Sequence, residues 1–334
     1  MKIKSVINLQ YTTIKKPLPN FIYQDLKEFS QKANLYRPQP LELIEKLSQK
    51  HKLPKEMFYL VAGCDEALQM FIITYGKKTV VFTPTYTVYS DVEVFGGKLN
   101  KVYSIIDDEY QINPQKYKQA NLIILANPNN PSGYTEKEKV IKLIKNNNHA
   151  IVVIDEAYGE FAPELSVINL VKKYKNLAVL RSFSKDYGMA GNRVGYIIAN
   201  NKLINSIKDK TQWSNISYLS VGAAISALNH EKYFIKIRED IHTQREKFIS
   251  FLKEAGFTVL PSKINAVLIK FNTEREAVNL IDFLKKHHIV VSHGNGASNI
   301  GLDLSFVRIA IGTLEQMTQV TQAINEFKKS NIKK

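Results

Sequence analysis

The stretch RSFSKDYGMAGNRVGY, residues 181–196, carries the strongest signal in the sequence. It follows an apolar run at 177–180 that is typical of a buried strand, and a second apolar run extends from 194 to 199. Lys185 lies among small and hydroxyl-bearing residues, and Arg193 comes eight positions later. A lysine amine can form a Schiff base with an aldehyde, while hydroxyls and an arginine can hold an anion. A lone lysine after a strand is more often a solvated surface residue, so the interpretation depends on the rest of the chain.

Two other apolar runs also end in polar clusters. NPNNPSG (127–133) follows the run 122–126, and IVVIDEAYGEF (151–161) ends in a cluster that contains Asp155 and Tyr158. Because the carboxyl ends of parallel strands meet at one edge of a sheet, these runs predict a parallel sheet with a site at that edge. A carboxylate at the end of a buried strand needs a partner.

Four more stretches carry candidate site residues. VAGCDEALQMFIITYG (61–76) predicts a turn that leads into a helix, and free amides at a helix N-terminus bind phosphate. The others are NLYRPQP (34–40), TVVFTPTYTVYS (79–90) and FVRIAIGT (306–313). Each has an ordinary alternative: a helix start of a common kind, an exposed loop tyrosine, a core tyrosine or an edge arginine. NPNNPSG could likewise be a simple turn.

Taken in this order, the motifs resemble the class I/II aminotransferases, which are fold-type I pyridoxal-phosphate enzymes. The resemblance extends from about residue 34 to the C-terminus and is strongest to the histidinol-phosphate aminotransferases. It implies an α/β fold: a large domain with a mainly parallel sheet flanked by helices, plus a smaller α+β domain. We expect an N-terminal arm (1–33) that packs with the small domain, a large pyridoxal-phosphate-binding domain (34–229) and a small C-terminal domain (230–334).

The resemblance also assigns roles to individual residues. Lys185 would be the catalytic lysine, and Arg308 and Asn130 would bind the substrate. Tyr36 would reach the cofactor of the partner subunit in a homodimer. The other cofactor-binding residues would be Cys64 (through its backbone), Asp65, Tyr86, Asn130, Asp155, Tyr158, Ser182, Ser184 and Arg193. No metal is expected.

The implied reaction is a ping-pong transfer of an amino group between histidinol phosphate, or a similar amino acid or phosphorylated amine, and 2-oxoglutarate. Two departures from the family pattern leave the substrate open. The segment INLQYTTIKKPLP (7–19) matches the family's pocket-lining motif only at Asn8, and Ser292 stands where the histidinol-phosphate enzymes carry a second arginine. His293 or a nearby lysine could compensate. The alternatives are an aromatic or other amino acid aminotransferase, or an enzyme similar to threonine-phosphate decarboxylase.

Composition bounds the remaining possibilities. The chain has 334 residues, of which 44% are hydrophobic and 23% charged, as in an ordinary globular protein of two domains. No apolar run is long enough to span a bilayer and no signal peptide is recognisable, so we expect a cytoplasmic protein without membrane partners. The single cysteine excludes an internal disulfide. The net charge of +15 would also suit a nucleic-acid-binding protein, but the lysines are scattered, and we expect no nucleic-acid partner.

The remainder of the chain is predicted to be mostly helical from 201 to 255, with a long amphipathic helix at 233–255. Strands and helices then alternate through the small domain, with helices at 274–287 and 314–327. GNGASNIG (294–301) is glycine-rich but matches no nucleotide-binding motif, so we predict a loop there.

Overall fold

A computed structural model describes residues 6–294, 296 and 299–332 of the chain. The helices are α1 Asn20–Ser30, α2 Leu41–His51, α3 Cys64–Tyr75, α4 Asp91–Val94, α5 Lys137–Asn146, α6 Asn201–Ile207, α7 Tyr218–Asn229, α8 Glu231–Glu254, α9 Glu274–Lys286 and α10 Leu314–Ile332. Short 3-10 turns occur at Lys55–Met57, Thr87–Ser90, Pro163–Leu165, Ile168–Lys172, Ala190–Asn192 and Lys208–Lys210. No helix in this described part is long and apolar enough to cross a membrane.

The strands fall into one large sheet, one smaller sheet and several short pairings. They are β1 Ile7–Asn8, β2 Phe58–Val61, β3 Lys78–Thr83, β4 Thr85–Tyr86, β5 Lys98–Tyr103, β6 Ile105–Ile106, β7 Glu109–Tyr110, β8 Leu122–Ala126, β9 Ile151–Asp155, β10 Leu177–Ser182, β11 Gly195–Ala199, β12 Thr258–Val259, β13 Ala266–Lys270, β14 Ile289–Val290, β15 Ser292–His293, β16 Asn299–Ile300 and β17 Phe306–Ala310.

The large sheet has the strand order β2-β11-β10-β9-β8-β3-β5. Its pairings are parallel from β10 to β5, and β11 is antiparallel to both β10 and β2. Asp155 at the end of β9 lies in register with Ala126 on β8 and Leu180 on β10. The predicted mainly parallel sheet, with three strands ending at a common edge, is therefore confirmed.

Alternate residues of the central strands pack into cores on opposite faces of this sheet. On β8, Ile123 and Leu125 join the core that contains Leu47 of α2 and Leu143 of α5. Leu122, Ile124 and Ala126 join the core that contains residues of α3 and α6. Burial on both faces explains why these strands read as continuous apolar runs instead of alternating ones.

The smaller sheet is antiparallel, in the order β12-β13-β17-β15. Helix α8 supplies Phe234 to the large core and Ile237, Ile241, Phe248 and Leu252 to the core of this sheet. Helix α9 begins with a capping box, in which the Thr273 side chain accepts from the Glu276 amide and the Glu276 side chain accepts from the Thr273 amide. The predicted division of the chain at residues 33 and 229 stays a prediction.

The N-terminal residues contact two different parts of the protein. Strand β1 pairs in parallel with β14, with Ile7 opposite Ile289. Helix α1 instead packs against α7, where the Phe29 ring lies on Gly222. An added Cβ at Gly222 would be only 2.6 Å from Phe29 Cδ2, so the glycine permits this close approach.

Two predicted details were wrong. Residues 299–300 form a strand, because they pair with β4, which is more than 200 positions away and carries no local signal. The other glycine-rich positions, 295, 297 and 298, lie outside the described residues. The last helix extends to Ile332 instead of 327.

The contact between α1 and α7 gives a stability prediction. Gly222→Ala should lower the free energy of unfolding by about 1–3 kcal/mol through overpacking, although alanine is the better helix former. In a Phe29→Ala background the ring is gone and only the Cβ of residue 29, at 2.9 Å, remains close, so the same substitution should cost less than in wild type. Urea denaturation of the four proteins measures this. An equal loss in both backgrounds would contradict the contact between Phe29 and Gly222.

Candidate active site

A cavity of about 310 Å³ opens where β8, β9 and β10 end. Tyr36 does not line it and is 81% exposed. The other site residues predicted from the sequence all contribute to the lining: Cys64, Asp65, Tyr86, Asn130, Asp155, Tyr158, Ser182, Ser184, Lys185, Arg193 and Arg308. These residues come from six separate stretches of sequence, which the fold brings together.

Asp155 is the buried carboxylate of the cavity. The Tyr89 hydroxyl donates to its Oδ2 at 2.9 Å, and the Ala157 amide donates to its Oδ1 at 3.0 Å. Burial raises the pKa of Asp155 to about 6, although these hydrogen bonds oppose the rise. A buried carboxylate of this kind favours a positively charged partner within the cavity. The sequence analysis missed Tyr89, which follows Tyr86 by three positions in PTYTVY.

The N-terminus of α3 forms one wall of the cavity. Gly63 precedes it with φ of 88°, and its Cα approaches Arg193 so closely that an added Cβ would be 2.5 Å from Arg193 Nη2. Arg193 Nη2 donates to Asp65 Oδ2 at 2.9 Å, and the Tyr86 hydroxyl donates to Asp65 Oδ1 at 3.1 Å. The Asp65 side chain is thus occupied, and a carboxylate would repel phosphate, so only the backbone amides here can bind such a group.

Cys64 is buried beside Asp155 at this helix start. Burial, with the nearby charge of Asp155, raises the pKa of the Cys64 thiol well above its ordinary value. The thiol therefore remains protonated near neutral pH and is a poor nucleophile, which agrees with the expectation that Cys64 acts through its backbone.

The turn after β10 presents hydroxyls to the cavity. Ser182 Oγ donates to Val194 O at 3.3 Å and accepts from the Ser184 amide at 3.0 Å. Ser184 Oγ is buried and has no hydrogen-bond partner within the described parts of the chain. An unsatisfied buried hydroxyl in a cavity that Arg193 also lines is a feature that a bound anion would explain.

Lys185 lies on the same turn and lines the cavity. Its Nζ donates to Thr12 Oγ1 at 3.3 Å and lies 5.6 Å from the centre of the Tyr158 ring. Thr12 Oγ1 is 2.7 Å from the Tyr158 hydroxyl. The sequence analysis missed Thr12, because nothing in the sequence connects it to a lysine 173 positions away.

Arg308 enters the cavity from the small sheet and is only 2% exposed. Its Nη1 donates to Asn130 Oδ1 at 2.7 Å, and its Nη2 donates to the Gln10 carbonyl at 2.8 Å. Burial lowers the pKa of Arg308, although an arginine stays charged near neutral pH. The Arg308 side chain thus spans from the small sheet to the loop that carries Asn130.

The departures from the family pattern lie near Arg308. Ser292 is buried and is the register partner of Arg308 on the neighbouring strand. His293 Nε2 lies 2.6 Å from the Leu304 carbonyl, so this ring is engaged away from the cavity lining. Asn8 is exposed and does not line the cavity, whereas Tyr11 and Thr12 of the same segment do.

These features fit pyridoxal phosphate as the expected cofactor. The backbone amides of α3, the Ser184 hydroxyl and Arg193 could hold its phosphate. Asp155 could pair with its ring nitrogen, and Tyr158 and Asn130 could reach its phenolic oxygen. The cavity volume of about 310 Å³ lies within the range of small-molecule sites.

Known proteins similar to this chain agree with this interpretation. The family model for "Aminotransferase class I and II" matches residues 5–324. A histidinol-phosphate aminotransferase of Sulfurisphaera tokodaii is 32% identical over 326 residues, which cover 93% of this chain and 87% of that protein.

Solved structures of similarly named proteins share the fold. The histidinol-phosphate aminotransferase of Clostridium acetobutylicum has a TM-score of 0.88 at 26% identity, with 97% of this chain and 100% of that chain covered. The enzyme of Sinorhizobium meliloti, solved with pyridoxal-5'-phosphate, has a TM-score of 0.87 at 22% identity, with 98% and 92% covered. Since the family match covers nearly the whole chain, this protein belongs to the class I and II aminotransferases, which are pyridoxal-phosphate-dependent transaminases.

Proposed function

We propose that this enzyme transfers an amino group between histidinol phosphate and 2-oxoglutarate in a ping-pong reaction. The observation that carries the proposal is the convergence of Lys185, Asp155 and the buried Arg308 on one cavity. The chain's similarity to histidinol-phosphate aminotransferases favours this substrate over other amines. The cavity residues therefore support the type of reaction, and the similar proteins support the choice of substrate.

The roles of the residues follow from their positions. When bound, pyridoxal phosphate supplies a reactive aldehyde and a ring that withdraws electrons. Lys185 binds the cofactor and, as a free amine, takes the proton from the substrate's α-carbon as general base. Asp155 holds the ring nitrogen, and a positive charge there would keep this carboxylate ionised.

The remaining cavity residues position the cofactor and the substrate. Tyr86 would cover the cofactor ring and exclude water, while Tyr158 and Asn130 would hold its phenolic oxygen. The phosphate would be held by the hydroxyls of Ser182 and Ser184, the guanidinium of Arg193 and the amides of Cys64 and Asp65.

Arg308 would bind the anionic group of the substrate, because its guanidinium can donate to a phosphate or a carboxylate. Ser292 weakens the case for histidinol phosphate in particular. A missing charge-assisted hydrogen bond is worth about 1.5–3 kcal/mol, or one to two orders of magnitude in affinity. The serine at position 292 therefore supports a second candidate function: transamination or decarboxylation of another amino acid or phosphorylated amine on the same cofactor.

The absorbance spectrum of the loaded enzyme tests the substrate. The yellow band of the bound cofactor should bleach on addition of histidinol phosphate and return with 2-oxoglutarate. Histidinol, which lacks the phosphate, should need a concentration about ten- to a hundredfold higher. Lys185→Ala should fold but show no turnover.

The controls separate the two candidates. Bleaching by aromatic or other amino acids, with no response to histidinol phosphate, would overturn the substrate and keep the cofactor site. Release of carbon dioxide from an amino acid substrate would identify a decarboxylase. Transamination retained in Lys185→Ala would refute the assignment of the lysine.

We also propose a homodimer in which Tyr36 contacts the partner's cofactor phosphate. Tyr36 is 81% exposed, and its ring centre is 5.8 Å from that of the exposed Trp213. Two neighbouring exposed aromatic rings are typical of a surface that a second protein chain covers. Tyr36→Phe should leave the dimer intact by light scattering but speed the loss of cofactor on dialysis by about tenfold. Tyr23→Phe, at another exposed tyrosine, is the matched control. A monomer that retains its cofactor would contradict this proposal.

The raised pKa of Asp155 predicts a pH dependence of stability in the cofactor-free protein. The folded chain holds this proton up to about pH 6, whereas the unfolded chain releases it near 3.8. The bound proton of Asp155 therefore contributes on the order of 3 kcal/mol to the free energy of unfolding. This contribution is complete below about pH 4 and is lost as the pH rises through about 6. Relative to Asp155→Asn, wild type should lose stability over this interval in urea denaturation. A constant difference between the two proteins would contradict the burial of an ionisable Asp155.

A further inference from the structure

The N-terminal strap, which we define as residues 9–15, lines the cavity with Tyr11 and Thr12, and Thr12 contacts Lys185. The Leu9 carbonyl accepts from the Ala310 amide at 3.0 Å, which fixes one end of the strap to the small sheet. In its middle, the Thr12 carbonyl accepts from Asn265 Nδ2 at 3.1 Å. The strap is therefore held by its backbone, and the Thr12 side chain has a defined position.

The Thr12 hydroxyl is the link between two side chains that the proposed reaction uses. It is 3.3 Å from Lys185 Nζ and 2.7 Å from the Tyr158 hydroxyl, and Thr12 is 3% exposed. A lysine ammonium can only donate hydrogen bonds, whereas a threonine hydroxyl has one proton and two acceptor positions. When Thr12 accepts from Lys185, its own proton can be donated to Tyr158.

This arrangement sets the direction of the Tyr158 hydroxyl as well. If Tyr158 accepts from Thr12, its own proton is left to donate elsewhere in the cavity. A donor is what the phenolic oxygen of the expected cofactor requires. One hydroxyl of the strap would then order both the lysine amine and the tyrosine proton.

We propose that Thr12 is a positioning residue, which holds the Lys185 amine whenever that amine is not bonded to the cofactor and directs the Tyr158 proton into the cavity. The inference rests on the proposed function, because that function makes the Lys185 amine the reacting group. A four-carbon side chain loses much rotamer freedom when its end is held, so a fixed acceptor keeps the base in reach of its proton.

Other ionisable groups surround Lys185 and must be kept constant in a test. Lys15 belongs to the strap, and its pKa is lowered by burial and by the charge of Lys185. Its Nζ donates to the Tyr11 carbonyl at 2.8 Å and to Thr13 Oγ1 at 3.1 Å. The cavity lining adds Asp65, Asp155, Tyr86, Tyr158, Arg193 and Arg308.

Two adjacent threonines therefore hold two different lysines, which provides a matched control. Thr12 accepts from Lys185, and Thr13 accepts from Lys15. Thr12→Val and Thr13→Val remove one hydroxyl each, at nearly constant volume, and leave every charged group in place. Thr12→Ser retains the acceptor.

The test measures acylation of single lysines in the cofactor-free, full-length protein. A trace of acetic anhydride is applied at a fixed pH, and mass spectrometry of the peptides gives the rate at each lysine. Removing the acceptor frees the amine, so Thr12→Val should raise the rate at Lys185 by about tenfold and leave Lys15 nearly unchanged. Thr13→Val should leave the rate at Lys185 unchanged and raise the rate at Lys15 by less than tenfold, because the Tyr11 carbonyl still accepts from Lys15 Nζ. Thr12→Ser should behave as wild type.

The outcomes are decisive in either direction. Equal rates at Lys185 in wild type and Thr12→Val would overturn the inference. A rise at Lys185 in Thr13→Val as large as in Thr12→Val would also overturn it, since both would then report a general opening of the strap. Circular dichroism confirms that each variant is folded.

A second readout connects the hydroxyl to the reaction. In the loaded enzyme, Thr12→Val should slow the single-turnover bleaching of the cofactor band by about tenfold, with the substrate concentration for half-saturation unchanged. If Thr12→Val changed the substrate concentration for half-saturation but not the bleaching rate, a role of Thr12 in holding Lys185 would be contradicted. Because acylation needs neither cofactor nor substrate, it can support the contact even if the proposed function fails, so the two failures are distinguishable.

Discussion

The site depends on one carboxylate that is buried at the end of a central strand. Asp155 ends β9 and lies in register with Ala126 on β8 and Leu180 on β10. The chain that follows each neighbouring strand must therefore begin its turn beside this carboxylate, and those turns carry Asn130 and Lys185. Tyr89 and the Ala157 amide satisfy Asp155 within the protein, but its raised pKa shows that it still favours a positively charged partner. The parallel sheet is thus what allows residues from distant stretches to act on one ligand.

A buried ion pair fixes the two turns that carry Tyr158 and Lys185. Arg181 Nη2 lies 2.7 Å from Glu156 Oε2, and both side chains are almost completely buried. A Cβ at Gly159 would be 2.9 Å from Arg181 Nε, so the turn after Glu156 packs directly on the guanidinium. Removing Arg181 would leave the buried Glu156 carboxylate without its cation, which is far more costly than the pair itself. The pair therefore constrains the geometry of the site, although neither residue lines the cavity.

The sequence predicted those parts of the site that depend on local pattern. The apolar runs before Asn130, Asp155 and Lys185 gave the strands, and the polar residues after them gave the cavity lining. Thr12, Tyr89 and the pairing of Asn299 with Tyr86 could not be predicted, because each depends on a contact between segments whose own sequences are ordinary. Asn8, the one match to the family's pocket-lining motif, does not line the cavity, whereas Tyr11 and Thr12 do, since only the fold decides which side chains of this irregular segment point inward. Tyr36 remains exposed in a single chain, and its proposed role depends on a second copy.

The most direct test of the account is to locate the cofactor on the chain. The loaded enzyme is reduced with borohydride, which makes the lysine–cofactor bond permanent, and the modified peptide is then identified by mass spectrometry. The account predicts a single adduct on Lys185, lost when the enzyme is first saturated with an amine substrate. An adduct on any other lysine, or none in a protein that still catalyses transamination, would contradict the assignment of the site.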